Sequence, residues 1–196
     1  MDENADDGVP RSIQLDAEQL TTLAHPLRSR LLSALRLHGA ATATALAQRL
    51  GTNSGTTCYH LRKLADVGLV TDAPEEGAGR DRWWRAASKG HSWSEQDFLD
   101  DPDTATAADW LHGHYLRSYV RAAEDWAEQR HEWPREWIAA ADMSDQGLVT
   151  TPDGLRALTT ELHEVLERHR RLSDPGAPGA TQVMVVLQAF PLVREL

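Results

Sequence analysis

Apolar residues recur at steps of three and four through three successive short segments, and each segment is bounded by residues suited to starting or stopping a helix. Asp16 followed by Gln19 has the pattern of a capping box, and Leu20 and Leu23 behind it predict a short helix reaching Ala24. Pro26 restarts the helix without wasting a donor. Leu27, Leu31, Leu32 and Leu35 then keep helical spacing until Gly39 offers a left-handed cap. Thr42 is the next N-cap, with Ala43, Leu46, Ala47 and Leu50 on one face and Gly51 ending about two turns. Asn53 or Ser54 caps a third helix, on which Thr57, Leu61 and Leu64 line one side and Gly68 closes the run.

The last two helices are separated only by Gly51-Thr52-Asn53, which predicts a helix-turn-helix with a steep crossing. Leu69-Val70-Thr71 then reads as a strand, Ala73 to Gly79 as a Pro- and Gly-rich turn, and Arg82 to Ala86 as the returning strand. Together these form a hairpin wing. Trp83 and Trp84 point to opposite faces of its second strand, one toward the core. Further on, Ala108, Leu111, Tyr115, Tyr119, Ala122 and Trp126 form one helical stripe, and Leu155, Leu158, Leu162, Val165, His169 and Leu172 form another. Pro175 to Gly179 reads as a linker, and the β-branched stretch from Thr181 to Ala189 as a buried terminal strand. The fold class is therefore mainly α with a small β wing (α+β). An acidic flexible tail covers residues 1–15, a winged helix-turn-helix domain 16–90, and a helical dimerisation and effector region with the terminal strand 91–196.

Charge changes the picture. The chain of 196 residues carries a formal charge of −10, which by itself argues against a nucleic-acid partner. Split along the chain, residues 1–24 hold one basic residue against six acids and residues 90–196 hold nine against nineteen. Residues 25–89 reverse this, with ten against five, and from His25 through Ala65 no acid stands beside Arg28, Arg30, Arg36, Arg49, Arg62 and Lys63. An acid-free block of this kind fits a surface that approaches a polyanion. The single cysteine cannot form an internal disulfide, no apolar run is long enough for a bilayer, and the first residues are acidic where a secretory signal is basic. These features lead to the expectation of a soluble, cytoplasmic, nucleoid-associated protein with no membrane partner.

Three stretches carry a family resemblance: Leu23-Ala24-His25-Pro26-Leu27-Arg28, then Leu46-Ala47 to Leu50-Gly51, then Tyr59-His60-Leu61-Arg62-Lys63-Leu64 ending in Gly68-Leu69-Val70. With them, residues 16–90 resemble the winged helix of the ArsR-like (arsenical-resistance-repressor-like) bacterial transcription regulators. The resemblance implies double-stranded DNA as partner, a homodimer as the working form, and repression as the usual outcome. At 100° per residue, Gly55, Tyr59 and Arg62 point away from the core side of the third helix, with Thr56 and Lys63 on one flank and Cys58 on the other. Arg62 can reach guanine edges or phosphate, Tyr59 can donate to phosphate, and Thr56 can touch a thymine methyl. The candidate DNA-binding set is Ser54, Gly55, Thr56, Cys58, Tyr59, Arg62 and Lys63, joined by Arg80 and Arg82, which resemble wing residues that clamp phosphate or enter the minor groove. Gly55 reads either as a loose helix start or as backbone lying against DNA. His60 reads as a half-buried packing residue, with base contact as the alternative. Cys58, where the family commonly has Ser, could block docking if oxidised.

One winged helix covers too few base pairs to find an operator, so the later helices are expected to supply a two-fold interface. Trp93, Trp110, Trp126, Trp133 and Trp137 read as core and interface anchors, with an apolar small-molecule effector pocket as the sharper alternative. His112, His114, His131, His163 and His169 lack the spacing of the family's terminal-helix zinc site, so neither metal nor cofactor is expected. No phosphate-cradling loop or nucleophile elbow appears, and no enzyme is expected. The competing function is a winged-helix interaction module without its own specific DNA binding.

Overall fold

The computed structural model describes residue 10 and residues 12–74, 81–174 and 176–192. The chain divides into two compact units, one ending at Ala122 and the other beginning at Ala123. In the first, the order is β1 (Ile13–Gln14), α1 (Ala17–Leu23), α2 (Pro26–His38), β2 (Ala41–Thr42), α3 (Ala43–Leu50), α4 (Ser54–Asp66), β3 (Val70–Asp72), β4 (Trp83–Ala86) and β5 (His91–Ser92). A 3-10 turn at Glu95–Phe98 leads into α5 (Pro102–Gln129), whose early turns complete the unit.

The helix starts are where the caps put them. Gln19 N–H donates to Asp16 Oδ1 at 2.8 Å, and Asp16 N–H donates back to Gln19 Oε1 at 3.2 Å, closing the box ahead of α1. The Gln19 amide also donates to the Val67 carbonyl at 3.1 Å, tying α1 to the end of α4. Thr42 Oγ1 accepts from Ala45 N–H at 3.2 Å, and Gly51 ends α3 in the left-handed region at φ 65°, ψ 42°. That conformation costs any residue with a Cβ roughly 1–2 kcal/mol, which is why the turn begins on glycine.

Leu20 and Leu23 of α1, Leu31, Leu32 and Leu35 of α2, Leu46 of α3, and Leu61 and Leu64 of α4 are buried in one cluster with Leu69, Val70 and Trp84. Each buried leucine contributes roughly 1.5–3 kcal/mol of transfer free energy, so the helices cohere through this cluster rather than through intrinsic helix preference. β4 is the middle of a three-stranded antiparallel sheet ordered β2-β4-β3, with Trp84 opposite Ala41 on one side and Asp72 on the other. Its alternation is clean: Trp84 and Ala86 are buried, while Trp83 and Arg85 are half-buried on the opposite face.

Two expectations need correction. Residues 1–15 do not all belong to a tail, because β1 pairs in parallel with β5 and Leu15, 2% exposed, lies in the core. Ile13 and Leu15 have the period of two that turns both toward one face, Ile13 half-buried and Leu15 fully, and Leu15 N–H donates to the Ser92 carbonyl at 2.9 Å. Residues 1–9 and 11 lie outside the described residues. The core also continues past residue 90, since Phe98, Ala107, Ala108 and Leu111 join it.

The second unit holds the end of α5, a 3-10 turn at Arg130–Glu132, α6 (Arg135–Ala140) and α7 (Pro152–Arg171). Thr151 Oγ1 accepts from Gly154 N–H at 3.2 Å and Pro152 takes the first helical position, so α7 starts as its sequence dictates. Trp133 meets both Trp126 and Trp137 edge to face. No residue of α7 is buried. The expected terminal strand is absent: residues 181–192 carry no ladder, and Val183, Val185 and Phe190 are exposed. β-branched composition suits a strand, but a ladder needs a partner edge, and the described residues of this unit offer none.

Candidate nucleic-acid interface

α4 is presented by a three-residue turn and two caps. Gly51 N–H donates back to Ala47 and Gln48, and Asn53 Oδ1 accepts from Thr56 N–H at 2.8 Å. The helix then packs Thr57, His60, Leu61 and Leu64 inward. The opposite side carries Ser54, Gly55, Tyr59, Arg62 and Lys63, all exposed, with Thr56 and Cys58 half-buried on its flanks. Tyr59 is 56% exposed, an unusual placement for a tyrosine with no outside partner. Lys63 forms a surface pair with Asp66 at 3.5 Å, which contributes at most about 1 kcal/mol. Gly55 has a negative φ, and a Cβ there would meet only Asn53 Oδ1 at 3.4 Å, an ordinary contact. Nothing among the described residues requires glycine at that position.

The acid-free block divides into two groups of cations. Arg28 Nε donates to the Thr22 carbonyl, Arg30 donates to the last carbonyl of α3 at Leu50 (3.1 Å), and Arg36 donates through Nε to the Ser88 carbonyl at 2.9 Å. Arg36 also donates to Ser88 Oγ at 2.9 Å and contacts His91 Nδ1. Burial lowers this guanidinium to about 10, and burial with Arg36 alongside lowers His91 to about 3. These three arginines tie elements together. Arg49, Arg62 and Lys63 are left exposed. Sequence could not make this division, because an arginine that caps a carbonyl and one left exposed are the same letter.

The wing departs from expectation in a similar way. Arg82 faces Asp72 across the hairpin with a bidentate contact, NH2 donating to Oδ2 at 2.8 Å, and its guanidinium lies 4.0 Å above the Trp84 ring. The hydrogen bond from Arg82 holds the Asp72 carboxyl below its ordinary range and raises Arg82. The side chain expected at the hairpin tip is thus held on the strand by an acid and a ring, with Cys58 of α4 near enough to be felt electrostatically. Arg80 lies outside the described residues.

One cluster escaped sequence reading. His25 caps α2 through Nδ1, which accepts from Leu27 N–H at 3.1 Å, and its ring stacks on His60 with centroids 4.4 Å apart. Burial, then Arg28, lowers His25; burial, then His25 and Arg28, lowers His60. The only available signal was a histidine placed directly before a helix-starting proline, which marks a cap but not its partner thirty-five positions on. No group of three or more His, Cys, Asp or Glu among the described residues is arranged to hold a metal, and no helix among them is long and apolar enough to cross a membrane.

Comparison with known proteins places this segment. Residues 23–73 match the helix-turn-helix domain family. Among solved structures, the chain is similar to a homodimeric winged helix-turn-helix DNA-binding domain from Mycobacterium bovis, Mb0332, a possible ArsR-family regulator (23% identity, 56% of this chain and 78% of that one, TM-score 0.33). It is similar to reduced HlyU from Vibrio cholerae (19%, 50% and 85%, TM-score 0.33) and to a possible transcriptional regulator for arsenical resistance (27%, 55% and 95%, TM-score 0.32). No curated protein matches. The matched residues begin at the His-Pro-Leu-Arg start and end on β3, spanning α2, α3 and α4, and β4 completes the hairpin behind them. Residues 23–73 thus carry a helix-turn-helix domain, followed directly by the returning strand of a hairpin.

Proposed function

We propose that the chain binds operator DNA as a homodimer and represses transcription there, with α4 in the major groove and the hairpin against the flanking backbone. The observation that carries this reading is the exposed side of α4. It holds Ser54, Gly55, Tyr59, Arg62 and Lys63, with Asp66 at its last turn as the one acid, paired with Lys63, on a helix whose other side is fixed in the core. In this reading Arg62 and Tyr59 make base-edge and phosphate contacts, Thr56 and Cys58 flank them, and Lys63 and Arg82 exchange their carboxylate partners for phosphates. The acidic remainder of the chain is repelled by the duplex, which favours approach by this face alone. No catalysis is involved.

A second copy is called for by the size of the reading surface and supported by α7. That helix has an apolar stripe of Leu155, Leu158, Leu162 and Val165, and Leu162 and Val165 remain 36% and 38% exposed. The test is selection of genomic fragments by the purified chain, with the mass of the complex measured in the same samples. Arg62→Ala should weaken binding and reduce the slope of log K against log salt by about one while changing stability by less than about 0.5 kcal/mol. Unchanged affinity and site preference would show that another face reads the duplex.

A further inference from the structure

The inward side of α4 carries two buried polar atoms without a hydrogen-bond partner, Thr57 Oγ1 and His60 Nδ1, one turn apart. Nearly all buried polar atoms in folded proteins are partnered, so a ring nitrogen left alone beneath a reading helix calls for an explanation. The His60 ring instead makes two aromatic contacts: it stacks on His25 at 4.4 Å with a 36° tilt, and meets Tyr59 edge-on at 5.1 Å and 76°. His25 is itself held by the Leu27 N–H. A line of ring contacts therefore runs from the first turn of α2, through His25 and His60, to the exposed Tyr59.

The charges that face this line are positive. From α2 comes Arg28, close enough to act on both rings and on Tyr59. The charged residue of α1 is Glu18, which is exposed; that of α3 is Arg49, also exposed; Asp72 of β3 is held by Arg82. Lys63 on α4 points outward to Asp66. No carboxylate among these is placed to receive a proton-borne charge on either ring.

We propose that the His25–His60 pair is a positioning element for Tyr59, holding the reading helix in its DNA-binding pose only while both rings are neutral, so that mild acid loosens DNA binding. Protonation of one ring sets a positive charge against the other ring and against Arg28. Separation of the rings relieves this repulsion and removes the support behind Tyr59. The inference rests on α4 being the reading helix. Overall charge acts in the opposite sense, because a chain of net charge −10 becomes less acidic as pH falls and would on that ground bind DNA more tightly.

The experiment measures binding of the selected duplex at constant ionic strength at about pH 7.5 and about pH 5.5, alongside NMR titration of the two imidazoles in the DNA-free chain. The wild type should lose affinity measurably, up to about tenfold for one ring whose free midpoint lies just below 6.5. A His25→Asn, His60→Gln variant keeps an N-capping oxygen, and its affinity should hold or rise in acid. His91 and His114 remain in both proteins, so a loss caused by general unfolding would appear in both. Both rings should titrate below 6.5, a readout that needs neither DNA nor the variant. Wild-type affinity that is unchanged or higher in acid, an equal loss in the variant, or ring midpoints at or above 6.5 would overturn the proposal. A wild type that binds no duplex even at about pH 7.5 overturns the assignment of α4 and this inference with it, a failure distinct from binding indifferent to pH.

Discussion

At the scale of single residues, the cations divide by what their side chains reach. Arg36 sits between α2 and the segment around Ser88 and His91, where its hydrogen bonds go to neutral acceptors and its charge is partly desolvated. Arg36→Met keeps the length of the stem and removes the donors, leaving the Ser88 carbonyl without that partner. The expected cost is about 1–3 kcal/mol in chemical denaturation, against less than about 0.5 kcal/mol for the exposed Arg62. A loss of similar size at both positions would mean that hydrogen-bond partners do not separate structural arginines from the rest. The sequence offered these residues as one undivided basic block, and only their partners separate them.

At the scale of elements, α4 is the most fully specified. Asn53→Ala removes the acceptor for Thr56 N–H and should lower stability by about 1 kcal/mol, read as a shifted denaturation midpoint with an unchanged slope. Gly55→Ala should act in the opposite direction. The position is helical, its φ is negative and a Cβ meets no close neighbour, so alanine should stabilise by roughly 0.5–1 kcal/mol through reduced freedom of the unfolded chain. If the backbone at Gly55 lies against the duplex, the same substitution weakens DNA binding. A variant more stable and equally good at binding would assign the glycine to chance. The hairpin was legible as paired strands, while β2 and the β1–β5 pair were not. Two-residue strands have too few positions to show a period, and their pairing is set by what lies beside them.

At the scale of the molecule, four histidines of the first unit share one direction of shift. His25, His60, His91 and His114 all lie below their ordinary value, with burial as the largest cause in each. A histidine held neutral in the fold contributes stability that is fully present above 6.5, and loses it as pH falls toward the folded value. In the window just below 6.5 the unfolded chain binds more protons, so stability rises with pH there. The first unit should therefore melt at steadily lower temperature as pH drops below about 6.5, with His91 contributing down to about 3. A melting temperature constant from neutral pH to about pH 5 would contradict those burials. The second unit has no comparable buried histidine among its described residues, and its α7 exposes an apolar stripe that a second copy is proposed to cover.

The local order of the winged helix was determined by the sequence alone. Caps at Asp16, Thr42 and Asn53, the proline at position 26 and the glycine at 51 act within a few residues of themselves, so their consequences can be read one letter at a time. Helical spacing likewise fixed which side of α4 is buried, and with it which residues could face DNA. Tertiary structure decided what depends on distant partners: that Leu15 enters the core, that Arg82 answers Asp72, that Arg36 reaches Ser88 and His91, and that His25 stacks on His60. It also decided that the apolar stretch after residue 180 forms no ladder, the described residues of its own unit holding no strand. The difference is one of range. Backbone caps and side-chain periodicity are short-range properties of the chain, whereas charge pairing, ring stacking and strand pairing exist only once folding has brought together residues far apart in sequence.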